Sequence, residues 1–417
     1  MTSLHRALRR PLLATAALSL AAGLAACSSD EGGDEQEASQ GVTQDASVEF
    51  TGEPIKVMTM APIDTEVLNT PAILNIAEGA VIGINNAGGI NGHEVQLITC
   101  NEGFDPNIAA DCARDAVDQG VAAVVGGFTI NAPNVLPILA RADIPWVGPP
   151  LVSSNELTDP GAYPVNSGIM SMAALGKRAV EDGCENIASV ATQTGDAASD
   201  ALAALVDRGM ASAGADAPEV IRVPQIVSDF SGVAQQLDGA DCVIISAPPA
   251  IVTGVVAANA SLGADVEYYI FGGALTSEVI RPLGGALEGA ITTSNFPVAS
   301  DPAWDEAKQT VGDLADDDNG GWTSIFAQNT WVAYQVLASA LAEIEGVTGA
   351  DATAALDAAS AVDTKGLTEP IDFTQENDAD GLNRVFNSQI KFLRVKDSDV
   401  TPEGDFYDVD TALETEG

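Results

Sequence analysis
The chain has 417 residues, 60 Asp and Glu against 17 Lys and Arg, 46% hydrophobic side chains and five cysteines. That length suits two domains, and a hydrophobic fraction near half excludes a disordered chain despite a formal charge of −43. The same charge excludes nucleic acid as a partner, because little here could neutralise phosphates. With only His5 and His93 present, His-rich metal centres and most His-dependent catalysis are excluded too.

The first element in the chain is an address. Arg6, Arg9 and Arg10 precede an apolar run from Pro11 to Ala26, too short and Ala-rich to span a membrane but suited to a secretory signal. The run ends in Leu24-Ala25-Ala26-Cys27, which has the form of a bacterial lipobox. Small residues there fit a signal peptidase, and the Cys27 thiol takes a diacylglycerol. Residues 1–26 are therefore expected to be a signal peptide. Residues 27–51, polar and without apolar periodicity, are expected to be a flexible acidic tether. Outside the membrane the remaining cysteines can oxidise. Proximity favours Cys100 with Cys112, and Cys184 and Cys242, each before a short apolar run, could face one another across two strands. The alternative is four buried thiols.

From Gly52 onward strands alternate with helices. Ile55 to Met60 is a predicted strand. Ile73, Ile76, Ala77, Ala80, Val81 and Ile84 fall on one helical face, which Asn86-Ala87-Gly88-Gly89 ends. Val95 to Thr99 is a strand, Asp105 to Asp118 a helix, Ala122 to Val125 and Pro145 to Val147 two further strands. The alternation then restarts with helices at Met170–Asp182, Asp200–Ala213 and Ala250–Leu262. Strands are predicted at Ile187–Ala191, Ala240–Ser246 and Tyr268–Phe271. Helical stretches at Pro302–Leu314 and Ser324–Glu345 and a strand at Gln389–Val395 complete it. Such order predicts α/β architecture with two mostly parallel sheets, whose ligands bind outside the carboxyl ends of the strands. No catalytic or nucleotide-binding motif is present, and Glu376-x-Asp378-x-Asp380 lacks the glutamate that would complete a calcium loop. No metal, cofactor or catalytic residue is expected.

The lipobox and Asn86-Ala87-Gly88-Gly89-Ile90-Asn91-Gly92, followed by Asp105-Pro106, Val124-Val125-Gly126, Ile144-Pro145 and Glu288-Gly289, resemble the branched-chain amino acid type of ABC-transporter substrate-binding lipoprotein. The resemblance implies a type I periplasmic-binding fold, two Rossmann-like lobes joined by three crossings near Asn166, Ser294 and Gly366. Lobe 1 would be residues 52–166 with 295–366, lobe 2 residues 167–294 with 367–400, and residues 401–417 an acidic tail. It also implies a ligand carboxylate gripped at Phe128-Thr129-Ile130-Asn131 and Leu151-Val152-Ser153, with Phe326 as an aromatic wall. Helix capping is the alternative role for Thr129 and Ser153. In lobe 2 the aromatic positions fall at Ala198 and Pro248, and the acid that pairs an ammonium falls at Ala274. An acid elsewhere, such as Glu66 or Asp196, could replace it.

What this implies is a monomeric, extracytoplasmic lipoprotein, anchored to the bacterial cell membrane. It would deliver a small molecule, an apolar carboxylate or amino-acid-like ligand, to the permease of an ABC importer. The alternative is a sensor that signals through a partner. Diacylglycerol supplies two chains, enough for stable anchoring. A Cys27→Ala variant should therefore leave the membrane fraction when cells are fractionated, and an unchanged membrane fraction would refute lipidation.

Overall fold
The computed structural model describes residues 42–65, 68–193, 197–315, 321–377 and 381–413. The expected signal peptide, Cys27 and the first part of the expected tether lie outside them. Lobe 1 is a parallel sheet in the order β2-β1-β3-β4-β5. Its strands are β1 (Ile55–Ala61), β2 (Val95–Asn101), β3 (Ala123–Val125), β4 (Trp146–Val147) and β5 (Ala162–Tyr163). Between them run α1 (Pro71–Asn86), α2 (Pro106–Gln119) and α3 (Ala132–Ala140). The predicted face of α1 is buried against the sheet. Its end needs a left-handed backbone, with φ of 104° at Gly88, 75° at Gly89, 48° at Asn91 and 81° at Gly92. That is the physical content of the Asn-x-Gly-Gly-Ile-x-Gly element. Asp105 caps α2 by accepting from the amides of Asn107 (2.8 Å) and Ile108 (3.2 Å).

Lobe 2 holds the seven-stranded sheet β12-β11-β10-β9-β8-β6-β7. It comprises β6 (Ile187–Gln193), β7 (Glu219–Pro224), β8 (Cys242–Ser246), β9 (Glu267–Ile270), β10 (Ile291–Ser294), β11 (Gln389–Lys396) and β12 (Asp399–Asp408). Only β11 and β12 run antiparallel to their neighbours. Helices α4 (Ser171–Glu181), α5 (Ala197–Ser212), α6 (Ser231–Gln236), α7 (Pro249–Leu262) and α8 (Ser277–Leu283) cover its faces. The chain then returns to lobe 1 as α9 (Asp305–Val311), α10 (Ile325–Ala340) and α11 (Gly349–Ala358). An aromatic row, Phe296–Trp304–Trp322–Trp331, follows that return, with ring centroids 6.2, 5.4 and 5.9 Å apart.

Several sequence expectations need correction. Residues 42–51 are not tether: the Asp45 amide donates to Asn86 Oδ1 (2.7 Å), and Thr51 donates to the Gly92 carbonyl (3.0 Å). The polar end of α1 supplies the partners that an apolar pattern could not signal. Residues 401–413 are not a tail but most of β12 and the 3-10 turn Val409–Ala412, which buries Val409 and Ala412. Arg178 (3.2 Å) and Arg394 (3.1 Å) both pair with Glu403 there, offsetting the acidity that made the segment look unstructured. The third crossing lies past Gly366, because Val362 and Ile371 exchange backbone hydrogen bonds and keep Leu367, Ile371 and Phe373 in the lobe-1 core. Leu382 and Val385 belong to the lobe-2 core while Phe386 still packs against lobe 1, so the third crossing runs between Phe373 and β11. The stretch Pro302–Leu314 is broken at Gly312 (φ 54°), and the helix from Ser324 stops at Ala340.

The structure joins Cys100 to Cys112 and Cys184 to Cys242, each pair with Cα atoms 5.9 Å apart. They close loops of 12 and 58 residues, worth about 3 and about 4 kcal/mol by loop entropy. Non-reducing peptide mapping should recover both linked peptides, and reduction should lower the melting temperature. Free thiol at Cys100 and Cys112 would rule out the first bridge.

Candidate ligand-binding cleft
Strand order reverses beside β1 in lobe 1 and beside β6 in lobe 2, and the loops at the carboxyl ends of the strands there are the candidate place for a ligand. In lobe 1 the chain leaves β3 through Gly126 and Gly127, at φ 57° and 89°. A Cβ on Gly127 would sit 2.5 Å from the Met60 carbonyl oxygen, so only glycine lets the turn lie flat on β1. Gly127 N–H donates to Thr330 Oγ1 (3.1 Å) and Phe128 N–H to Met60 O (2.9 Å). The turn thereby sets the Phe128 ring against Phe326 in the first turn of α10, centroids 4.3 Å apart. Opposite, the turn after β9 meets the same helix: a Cβ on Gly273 would lie 3.2 Å from Ile325 Cδ1.

Two buried carboxylates dominate the polar side of lobe 1. Glu102, just past β2, accepts from Thr129 Oγ1 (2.8 Å) and Asn131 Nδ2 (3.2 Å) on Oε2, and from Phe104 N–H (3.1 Å) on Oε1. Burial raises its pKa above the ordinary carboxylate value, and the hydrogen bonds from Thr129, Asn131 and Phe104 oppose the rise. Glu156 Oε2 accepts from both the N–H and the hydroxyl of Ser153, each 2.7 Å away, while Oε1 is buried without a partner. Desolvation pushes Glu156 up to about 7, outweighing its bonds to Ser153. The hydroxyl protons of Thr129 and Ser153 are thus spent on internal carboxylates. Neither residue caps a helix.

The other expected site residues are scattered. Pro248 is exposed at the start of α7, at the carboxyl end of β8. Ala274 is 2% exposed and packs in the lobe-2 core with Ile245 and Val279, one residue past the Gly273 contact to Ile325. Leu151 is fully buried in the cluster around α4. Ala198 lies in the first turn of α5, while Glu66 and Asp196 fall outside the described residues. Sequence reasoning missed Glu102 and Glu156. The Ser153-x-x-Glu156 spacing, that of a reciprocal capping pair, was the available signal for one of them. Glu102 has none, being one acid among 60. Among the described residues, Cys184, Cys242 and Glu267 are the one group of three with metal-ligand atoms close together, and the bridge occupies both sulfurs. No described helix is long and apolar enough to cross a membrane.

The family model described as periplasmic binding protein matches residues 68–399. The chain belongs to that family. Membership makes it an extracytoplasmic binding protein and not an enzyme. No curated protein matches its sequence. Solved periplasmic binding proteins share the two-lobed architecture. A leucine-binding protein of Thermotoga maritima superposes with a TM-score of 0.68 at 18% identity, over 84% of this chain and 98% of its own. A fatty acid ABC transporter substrate-binding protein of Thermomonospora curvata gives 0.70 at 15%, over 89% and 96%. A solute-binding protein of Rhodopseudomonas palustris, in complex with p-hydroxybenzoic acid, gives 0.68 at 18%, over 85% and 97%. These likenesses confirm the type I fold.

The buried Glu156 makes the stability of this binding protein depend on pH. Its folded pKa of about 7 exceeds the unfolded value near 4.5, so the native state binds the extra proton between them. Stability from this group is complete below pH 4.5 and is lost as pH rises through 7, by about 3 kcal/mol in all. Glu156→Gln removes the charge and keeps an acceptor for Ser153. Urea melts should show the variant gaining on the parent between pH 5 and pH 8, whereas a difference independent of pH would contradict the assignment.

Proposed function
We propose that this periplasmic binding protein is the lipid-anchored receptor of an ABC importer and carries a small, largely apolar ligand other than a free α-amino acid. The observation that carries the reading is the Phe128–Phe326 pair at the carboxyl end of the lobe-1 sheet, an apolar wall at the place where such sheets bind ligands. The facing turn supports it, since Phe271 to Thr276 contains no acid to meet an ammonium group. An ammonium buried without a counter-charge costs several kcal/mol, or orders of magnitude in affinity. Relatives named for a fatty acid and p-hydroxybenzoic acid also favour an apolar body. A ligand carboxylate is compatible only where it replaces Glu156 at Ser153 or uses other N–H groups of the rim. Lobe closure around the ligand brings the two rims together.

Titration calorimetry of the purified protein separates the classes. Leucine, isoleucine and valine should bind no more tightly than about millimolar, while p-hydroxybenzoate or octanoate should give measurable heat. Micromolar binding of any of the three amino acids would overturn the ligand assignment.

A further inference from the structure
Residues 151–157 belong to lobe 1 by their place in the sequence, between β4 and β5. Their packing assigns them elsewhere. Gly148, at the end of β4, is held in lobe 1 by its N–H to Tyr163 O and by Asn329 Nδ2 to its own carbonyl, both at 2.8 Å. Two prolines, Pro149 and Pro150, follow. Beyond them Leu151, at φ 50° and fully buried, and Leu157, 4% exposed, insert into the lobe-2 core beside Ile169, Met170, Leu175 and Tyr269. Backbone bonds reinforce the transfer. Ile169 N–H donates to Leu151 O (3.2 Å), and Arg384 N–H, on the third crossing, donates to Leu157 O (3.0 Å). The close approach of Leu151 leaves no room for a Cβ at Gly168. Only the half-buried Val152 leans back on the lobe-1 core. The chain rejoins lobe 1 where Trp146 N–H donates to Gly161 O (2.8 Å).

We propose that this loop is a fourth connection between the lobes and is carried by lobe 2, with Pro149-Pro150 as a stiff strut at its entry. Ser153 and Glu156 then travel with lobe 2, while Thr129 and Glu102 stay with lobe 1, and lobe closure changes the distance between the two carboxylate clusters. The polar rim of the cleft is assembled from both lobes although its residues come from one sequence half. Leu151 and Leu157 are positioning residues that act through Ser153. The inference rests on the reading that the lobes close around a ligand, but its test needs no ligand.

Hydrogen exchange of the full mature chain, read by mass spectrometry, compares the parent with Leu157→Ala. Removing a buried leucine loosens the unit it packs in. Exchange in α4 should quicken by about tenfold or more, with α1 and β3 unchanged. Faster exchange in α3 and β4 with α4 unchanged, or an equal rise in both lobes, would overturn the assignment. If Leu157→Ala does not fold, Leu157→Val supplies the same comparison with a smaller deletion. A failed ligand assignment shows itself separately, in the calorimetry.

Discussion
The three chain crossings between the lobes are held as one bundle by buried amides and hydroxyls, and the rest of the architecture depends on that bundle. Ser167 Oγ donates to Asn295 Oδ1 at 2.9 Å, tying the first crossing to the second. Asn387 Nδ2 donates to Val165 O at 3.0 Å, tying the third to the first. Asn166 pairs with Asn329, which also reaches Gly148 and so links the bundle to α10 and β4. All of these side chains are buried, where a lost partner leaves an unpaired polar group and costs about 1–3 kcal/mol. Their geometry is therefore strongly specified. It keeps two sheets with separate cores in one relative orientation at the axis, leaving the rims free to approach.

A chain this acidic must place its few cations with care. Arg178 and Arg394 converge on Glu403, and Arg178 also holds Asp182 at 2.8 Å. Arg384 is stacked between Tyr163 and Phe386, its guanidinium carbon 4.7 and 4.6 Å from the ring centroids, while Nε bonds Ala162 O. Arg178, Arg384 and Arg394 thus join chain segments distant in sequence. Many acids serve locally instead. Asp45 and Asp351 accept from the hydroxyls and backbone N–H groups of Ser47 and Thr348, and Asp105 and Asp229 from backbone N–H groups two or three residues onward; those bonds lower their pKa values.

Most of the fold was legible because its signals are local. The face of α1, the cap at Asp105 and the apolar runs of β1, β3 and β8 each declare themselves within a dozen residues. Elements whose stability comes from distant partners were not legible. β5 has two residues and is defined by its pairing to β4, and β12 depends on arginines from α4 and β11. The cleft divided the same way. Phe128 and Phe326 were expected from the family resemblance, Phe128 also from its place after a strand. Glu102 became visible only when folding brought it to Thr129 and Asn131, across 27 and 29 residues of sequence.

The last strand has one more consequence. β12 ends the lobe-2 sheet, and a strand at a sheet edge offers unpaired N–H and C=O groups to any passing extended chain. Here that edge carries Asp399, Glu403, Asp405 and Asp408 within ten residues. A second copy pairing along it would set its own acids against Asp399, Asp405 and Asp408, Glu403 being held by Arg178 and Arg394, and the low dielectric of a forming sheet would amplify the repulsion. The segment that resembles a loose acidic end is thus a guarded sheet edge, one that resists extension of the sheet by a second copy.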